Sequence, residues 1–105
     1  MAREQFQTLS EPMYYILLAL SKELCGVEIM KEVEIISSGR LKIGPGTLYT
    51  LLKRFEENKY INQISHEKNR RTYVISDIGK EFLMLEYQRI KILSDDGKKC
   101  MEEIL

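Results

Sequence analysis

The chain has 105 residues, 44% of them apolar and 30% charged. That is the size of one small domain, and the apolar share excludes a disordered tail. Its 16 basic and 16 acidic side chains cancel, which excludes a polybasic binder along the whole chain and says nothing of local patches.

The charge is unevenly placed. Residues 1–39 carry 3 basic and 6 acidic side chains, residues 40–73 carry 8 and 3, and residues 74–105 carry 5 and 7. A basic centre therefore lies between acidic ends. A chain this short buries only about two-thirds of its unfolded surface, so pairing with a second copy would relieve a marginal core. Cys25 and Cys100 are read as reduced thiols of a cytoplasmic protein, because a disulfide scaffold needs more cysteines. No charged-then-apolar signal segment opens the chain. The longest apolar stretch, near residues 13–20, is too short to span a bilayer, so no membrane partner is expected.

Thr8 and Ser10 are candidate caps for a first helix, and Thr8 with Glu11 has capping-box spacing. Pro12 suits a first helical turn. Met13, Ile16, Leu17 and Leu20 then recur at helical spacing, to about residues 21–23. Gly26 interrupts. Val27, Met30 and Val33 trace a second helix that Ser38-Gly39 stops. Residues 40–43 read as a short extended piece with Leu41 and Ile43 alternating. Gly44-Pro45-Gly46 is the sharpest turn signal. Leu48, Leu51, Leu52 and Phe55 follow at i, i+3, i+4 and i+7, a third helix ending near Asn58, a residue that tolerates the left-handed conformation.

Residues 60–65 and 71–76 are extended runs flanking the polar His66-Glu67-Lys68-Asn69-Arg70, which predicts a β-hairpin with a charged tip. Asp77 is the expected cap of a fourth helix. Ser94-Asp95-Asp96-Gly97 interrupts its pattern, but a glycine costs an exposed helix only about 1 kcal/mol, so one long helix is expected. The fold class is mainly α with a small β-hairpin. Helix, helix, helix, hairpin, helix is the order of a winged helix-turn-helix followed by a further helix.

The third helix carries the functional signal. Opposite its apolar face stand Thr47, Tyr49, Thr50, Lys53 and Arg54. Thr47, Thr50 and Arg54 line one edge at i, i+3 and i+7, with Tyr49 and Lys53 beside them. Hydroxyls and cations bond phosphates, and Arg or Lys reads guanine in the major groove. Lys68, Asn69, Arg70 and Arg71 cluster at the hairpin tip, where a wing tracks the backbone or enters the minor groove. The blander accounts are a solvated helix face and a turn whose charges keep a strand edge soluble. The coincidence of both elements with the basic segment favours double-stranded DNA as the partner.

Gly44-Pro45-Gly46-Thr47-Leu48-Tyr49-Thr50-Leu51-Leu52-Lys53-Arg54-Phe55-Glu56-Glu57 resembles the signature helix of PadR-type transcriptional regulators. Arg70-Arg71-Thr72-Tyr73-Val74-Ile75-Ser76-Asp77-Ile78-Gly79 resembles the segment after that family's wing, and Leu24-Cys25-Gly26-Val27-Glu28-Ile29-Met30 the start of its second helix. The matches span roughly residues 10–85. The resemblance implies a homodimeric repressor on a pseudo-palindromic promoter site. It implies a winged-helix domain over residues 1–78 and a dimerisation helix over residues 79–105. Leu85, Ile90, Leu93, Met101 and Ile104 are the expected dimer core. Some members of the short branch bind flat aromatic or drug-like compounds between subunits, so a small hydrophobic or aromatic inducer is the further partner implied.

Three features depart from the family pattern. Val27 replaces a common aromatic residue, and Asn58-Lys59-Tyr60 replaces a glycine-containing helix stop. Tryptophan is absent, so the ligand site is not carried over. Tyr87, Phe6 and Tyr14 are the aromatic residues that remain to line a cavity.

An enzyme is not expected. His66 is the only histidine, and no nucleophile has a base beside it in a recognisable pattern. No cofactor or metal is expected either, since Cys25, His66 and Cys100 lack ligand spacing. Asp95, Asp96 and Glu102 read as a solvated helix face. The competing function is a winged-helix module that binds protein rather than DNA, because fold does not fix function.

Overall fold

The computed structural model describes residues 8–65 and 70–105. Helix α1 covers Glu11–Ala19, with Pro12 in its first turn. Ser10 is its cap, its hydroxyl accepting the Met13 N–H at 3.4 Å. The expected Thr8–Glu11 box is not formed, because Thr8 lies two residues ahead of the cap. The helix stops short of residues 21–23 for a tertiary reason: the Leu20 carbonyl turns out to accept the Ile75 N–H at 2.8 Å.

The chain then forms a two-residue strand, β1 (Leu24–Cys25). Leu24 and Cys25 pair antiparallel with Tyr73 and Thr72. This strand is a correction to the sequence reading, which placed an extended piece at residues 40–43. No strand forms there. Ile43 is buried and Leu41 half-buried, so their alternation reflects packing without a pairing partner.

Helix α2 covers Gly26–Ile36 and buries Ile29 and Val33. Its end is a left-handed cap, with Ser38 at φ 55° and the Gly39 N–H donating to Glu34 O at 2.8 Å. Helix α3 covers Pro45–Glu57. Its buried residues, Leu48, Leu51, Leu52 and Phe55, are those the periodicity marked. Lys59, not Asn58, takes the left-handed position after it, with φ 63°. Asn58 remains near helical geometry, where its amide donates to Arg54 O at 2.9 Å. The Lys59 and Tyr60 N–H groups close the helix on Glu56 O and Phe55 O at 3.0 and 2.9 Å.

Strands β2 (Ile61–Ser65) and β3 (Arg71–Ile75) form the expected hairpin pair, in register from Ile61–Ile75 to Ser65–Arg71. With β1 added the sheet has three antiparallel strands in the order β1-β3-β2. Helix α4 runs unbroken over Asp77–Ile104, through Gly97. Its 28 residues span about 42 Å at helical rise. Ser76 is its cap and Asp77 its first residue, because the Ser76 hydroxyl accepts the Gly79 N–H at 3.0 Å. That same hydroxyl donates to Lys59 O at 2.7 Å, tying the start of α4 to the end of α3.

The core lies where α1, α2 and α3 meet the sheet. Tyr60 joins it to α4: its ring is tilted over Phe82 at 4.9 Å and reaches Phe55 at 6.5 Å. A side chain at Gly79 would run into the Tyr60 carbonyl and Ile75, so α4 reaches this contact only with glycine there. Burying one such aromatic or aliphatic side chain contributes about 1.5–3 kcal/mol. Three helices, a hairpin wing and a small third strand form a winged helix-turn-helix, with α2 and α3 as its paired helices.

One buried contact fastens the N-terminal end of this domain to α4. Glu86 is fully buried. Its carboxylate accepts the Leu9 N–H at 2.7 Å and a two-pronged contact from Arg89 at 3.0 and 3.1 Å. Such charge-assisted, forked bonds are the strong kind.

Candidate nucleic-acid interface

Helix α3 is held on one side by four buried apolar residues, which leaves its other side outward by geometry. Thr47, Thr50, Lys53 and Arg54 are exposed on that side. No acidic residue occupies the first turn, and Gly44 supplies no side-chain cap. The first turn of α3 therefore sets no carboxylate of its own against its N-terminal amides, an arrangement that suits a phosphate.

Tyr49 differs from its neighbours. It is half-exposed, but its ring lies across Gly26 at the start of α2. A Cβ at Gly26 would overlap the Tyr49 hydroxyl and ring. Its phenol also lies near Tyr73 of β3, whose hydroxyl is pushed up first by burial and then by the Glu56 charge. Tyr49 thus sits between α3, α2 and the sheet, whereas Thr47, Thr50, Lys53 and Arg54 are exposed on the outer face of α3.

The wing base is similarly divided. Arg71 opens β3 and is exposed, with its charge near enough to Tyr73 to oppose the upward push of burial on that hydroxyl. Arg70 is exposed but committed: it lies 3.2 Å from a Glu28 carboxylate oxygen and 3.3 Å from the Cys25 sulfur. Its charged form is favoured by those contacts, the Cys25 bond first. Lys68, Asn69 and His66 lie outside the described residues.

The sequence reading passed over two residues at this junction. Glu28 is the reciprocal arm of a capping box at the start of α2, its Oε1 accepting the Cys25 N–H at 2.9 Å. That bond, more than the Arg70 charge, lowers its carboxyl from the ordinary range. The Cys25-x-x-Glu28 spacing carried this signal, with sulfur in the place of the usual hydroxyl. Gly26 is the second, and only the fold brings Tyr49 over it. Lys42 and Lys59 are further exposed cations of the basic segment. Arg40 belongs to a different contact, donating to the Tyr15 hydroxyl at 2.7 Å and to Glu11 at 3.4 Å.

A second exposed surface lies on α4. From Lys91 onward every residue is exposed except Gly97, which is half-buried. Ile90, Leu93, Met101 and Ile104 are among the exposed large apolar residues. With Gly97 they fall at steps of three or four and share one stripe. It continues the line of Phe82 and Glu86, which face the core earlier in the helix. Leu85 is exposed too, but stands roughly a third of a turn away from that stripe at 3.6 residues per turn. Between α1 and α4 lies a groove of about 430 Å³, lined by Tyr14, Leu17, Leu18, Leu83, Met84 and Tyr87 among others. Tyr14 and Tyr87 were two of the aromatics expected to line a cavity; Phe6 lies outside the described residues. Cys25 is half-buried and Cys100 exposed, both as free thiols. Among the described residues no group of His, Cys, Asp and Glu is arranged to hold a metal ion. Among the same residues no helix is long and apolar enough to cross a membrane.

Comparison with known proteins agrees with this arrangement. The model of the transcriptional regulator PadR-like family matches residues 16–84. No curated protein matches the chain. A PadR family transcription regulator from Clostridium difficile is 24% identical, with a TM-score of 0.74 over 88% of this chain and 99% of that one. A transcriptional regulator from Clostridium thermocellum is 25% identical, with a TM-score of 0.70 over 85% and 90%. RosR of h. salinarum is 22% identical, with a TM-score of 0.66 over 91% and 89%. The matched span takes in α2, α3, the sheet and the first turns of α4. The chain belongs to the PadR-like family of transcriptional regulators, and its role is DNA-binding regulation rather than enzymatic catalysis.

Proposed function

We propose that the chain is a sequence-specific repressor that acts as a homodimer on a pseudo-palindromic promoter site. The exposed Thr47, Thr50, Lys53 and Arg54 on a helix anchored by four buried apolar residues carry this reading. Arg54 and Lys53 read base edges in the major groove, and the threonine hydroxyls bond phosphate or base. Tyr49 seats the helix against Gly26 and meets the DNA with its exposed edge. Lys68, Asn69, Arg70 and Arg71 serve the backbone or the minor groove, where phosphate contacts fix register without reading sequence.

The α4 stripe supplies the second copy. Bare isoleucine, leucine and methionine at steps of three and four suit helix-on-helix packing. Two copies joined there present two α3 helices to half-sites about one helical turn apart. The groove between α1 and α4 is the place for a small hydrophobic or aromatic inducer. Such a ligand releases DNA only if it binds one subunit arrangement better than the other.

The test is selection of DNA fragments from the source genome, followed by salt titration. A few enriched promoter fragments, with affinity falling steeply as salt rises, support the reading. A folded protein that enriches no fragment and binds a protein partner through α3 overturns it.

A further inference from the structure

Glu28 uses both carboxylate oxygens. Oε1 accepts the Cys25 N–H at 2.9 Å, and Oε2 lies 3.2 Å from the Arg70 guanidinium. The first contact fixes the second. A capping box returns the N3 side chain to the cap backbone, so the carboxylate is held in place before Arg70 arrives. The exposed pairs on α4, Lys80–Asp77 and Lys91–Asp95, lie within one helix. The Glu28–Arg70 pair instead joins α2 to the base of the wing. A guanidinium paired with a carboxylate offers a DNA phosphate little net charge.

We propose that Glu28 stands in for a DNA phosphate: it holds Arg70 in the unbound protein and yields it to the backbone when DNA binds. This rests on the reading of Arg70 as a backbone contact. Both partners are exposed, 58% for Arg70 and 45% for Glu28, and exposed pairs are weak enough to exchange. Glu28 thereby sets how tightly the wing grips any DNA. Its effect is independent of sequence, because phosphate contacts carry none.

The test uses Glu28→Gln, Arg70→Gln and the double variant, with a fluorescein-labelled mixed-sequence duplex at physiological ionic strength. Glutamine also serves at N3 of a capping box, so E28Q retains an acceptor for the Cys25 N–H, and a thermal melt checks that each variant is folded at the assay temperature. Screening at that ionic strength suppresses charges more than about 8 Å from the backbone. E28Q is expected to tighten binding about threefold and to steepen the salt slope by about 0.9, one phosphate contact. In the R70Q background E28Q is expected to change neither quantity. If E28Q tightens binding equally in both backgrounds, or not at all while R70Q weakens it, the inference fails and the DNA reading stands. If R70Q itself leaves affinity and slope unchanged, Arg70 is no DNA contact, and the inference fails together with the reading of Arg70 as a backbone contact, while the assignment of α3 is untouched.

Discussion

Helices α3 and α4 each bury one face and expose another, and the exposed faces are opposite in chemistry. The outer face of α3 carries Thr47, Thr50, Lys53 and Arg54, while α4 exposes Ile90, Leu93, Met101 and Ile104. A cationic, hydroxylated face is stable in water and complements a polyanion. An apolar stripe on a projecting helix gains by leaving water. The proposed function follows that difference, taking DNA to one helix and a second copy of the chain to the other.

The largest expected effect comes from giving α4 the polarity of α3. Leu93→Asp places a charge in the proposed helix pair, and an uncompensated buried charge costs about 3–5 kcal/mol. The dimer should weaken at least about a hundredfold, read by sedimentation equilibrium, with specific DNA binding lost alongside. A dimer that survives removes Leu93 from the interface.

The inner part of α4 is the next place to probe. Glu86→Ala removes the acceptor of the Leu9 N–H and of Arg89. Leaving a buried donor unmet costs about 1–3 kcal/mol, visible in chemical denaturation. The outer face of α3 should not register the change, provided the protein remains folded.

The cap of α2 responds to acid. The Glu28 carboxyl lies below the ordinary range, first because of the Cys25 N–H bond and then by its other contacts with Cys25 and Arg70. A lowered folded value means that the cap's contribution is complete above the unfolded carboxylate value. It is lost as pH falls through the lower folded one. Stability curves for wild type and Glu28→Gln should therefore differ at neutral pH and converge in acid, below about pH 4. Curves that stay parallel would remove the cap from the pH dependence.

The smallest effect is at the end of α3. Lys59 holds a left-handed conformation that costs a non-glycine residue about 1–2 kcal/mol. Lys59→Gly relieves it, offset by the greater freedom of glycine in the unfolded chain. A net gain of about 0.5–1 kcal/mol in the melt is expected.

What the sequence made legible follows from where the physics is local. The face of α3 was readable because Leu48, Leu51, Leu52 and Phe55 repeat at helical spacing, and all four are buried. The hairpin strands were readable from runs on either side of a polar turn. Strand β1 was not, since two residues carry no period and pair only with distant Tyr73 and Thr72. Lys59 was missed for a related reason. Asn58 has the higher intrinsic left-handed preference, but the Ser76 hydroxyl bonds Lys59 O at 2.7 Å, a contact made by the start of α4. At the site, Thr47, Thr50, Lys53 and Arg54 were legible as an outer face. The positions of Tyr49 over Gly26 and of Arg70 beside Glu28 depend on α2 meeting α3 and the wing, which spacing along one helix does not encode.

The most direct test of the central claim is the Lys53→Ala/Arg54→Ala double variant on the best-enriched fragment, compared with wild type across a salt series. Two lost base-edge contacts of about 1–3 kcal/mol each predict a fall in affinity of roughly thirtyfold or more, with the preference for that fragment over mixed-sequence DNA relaxed. The melt should shift by no more than about 0.5 kcal/mol, since both side chains are exposed. A folded variant that binds the fragment with unchanged affinity and unchanged preference would contradict the assignment of α3 as the DNA reader.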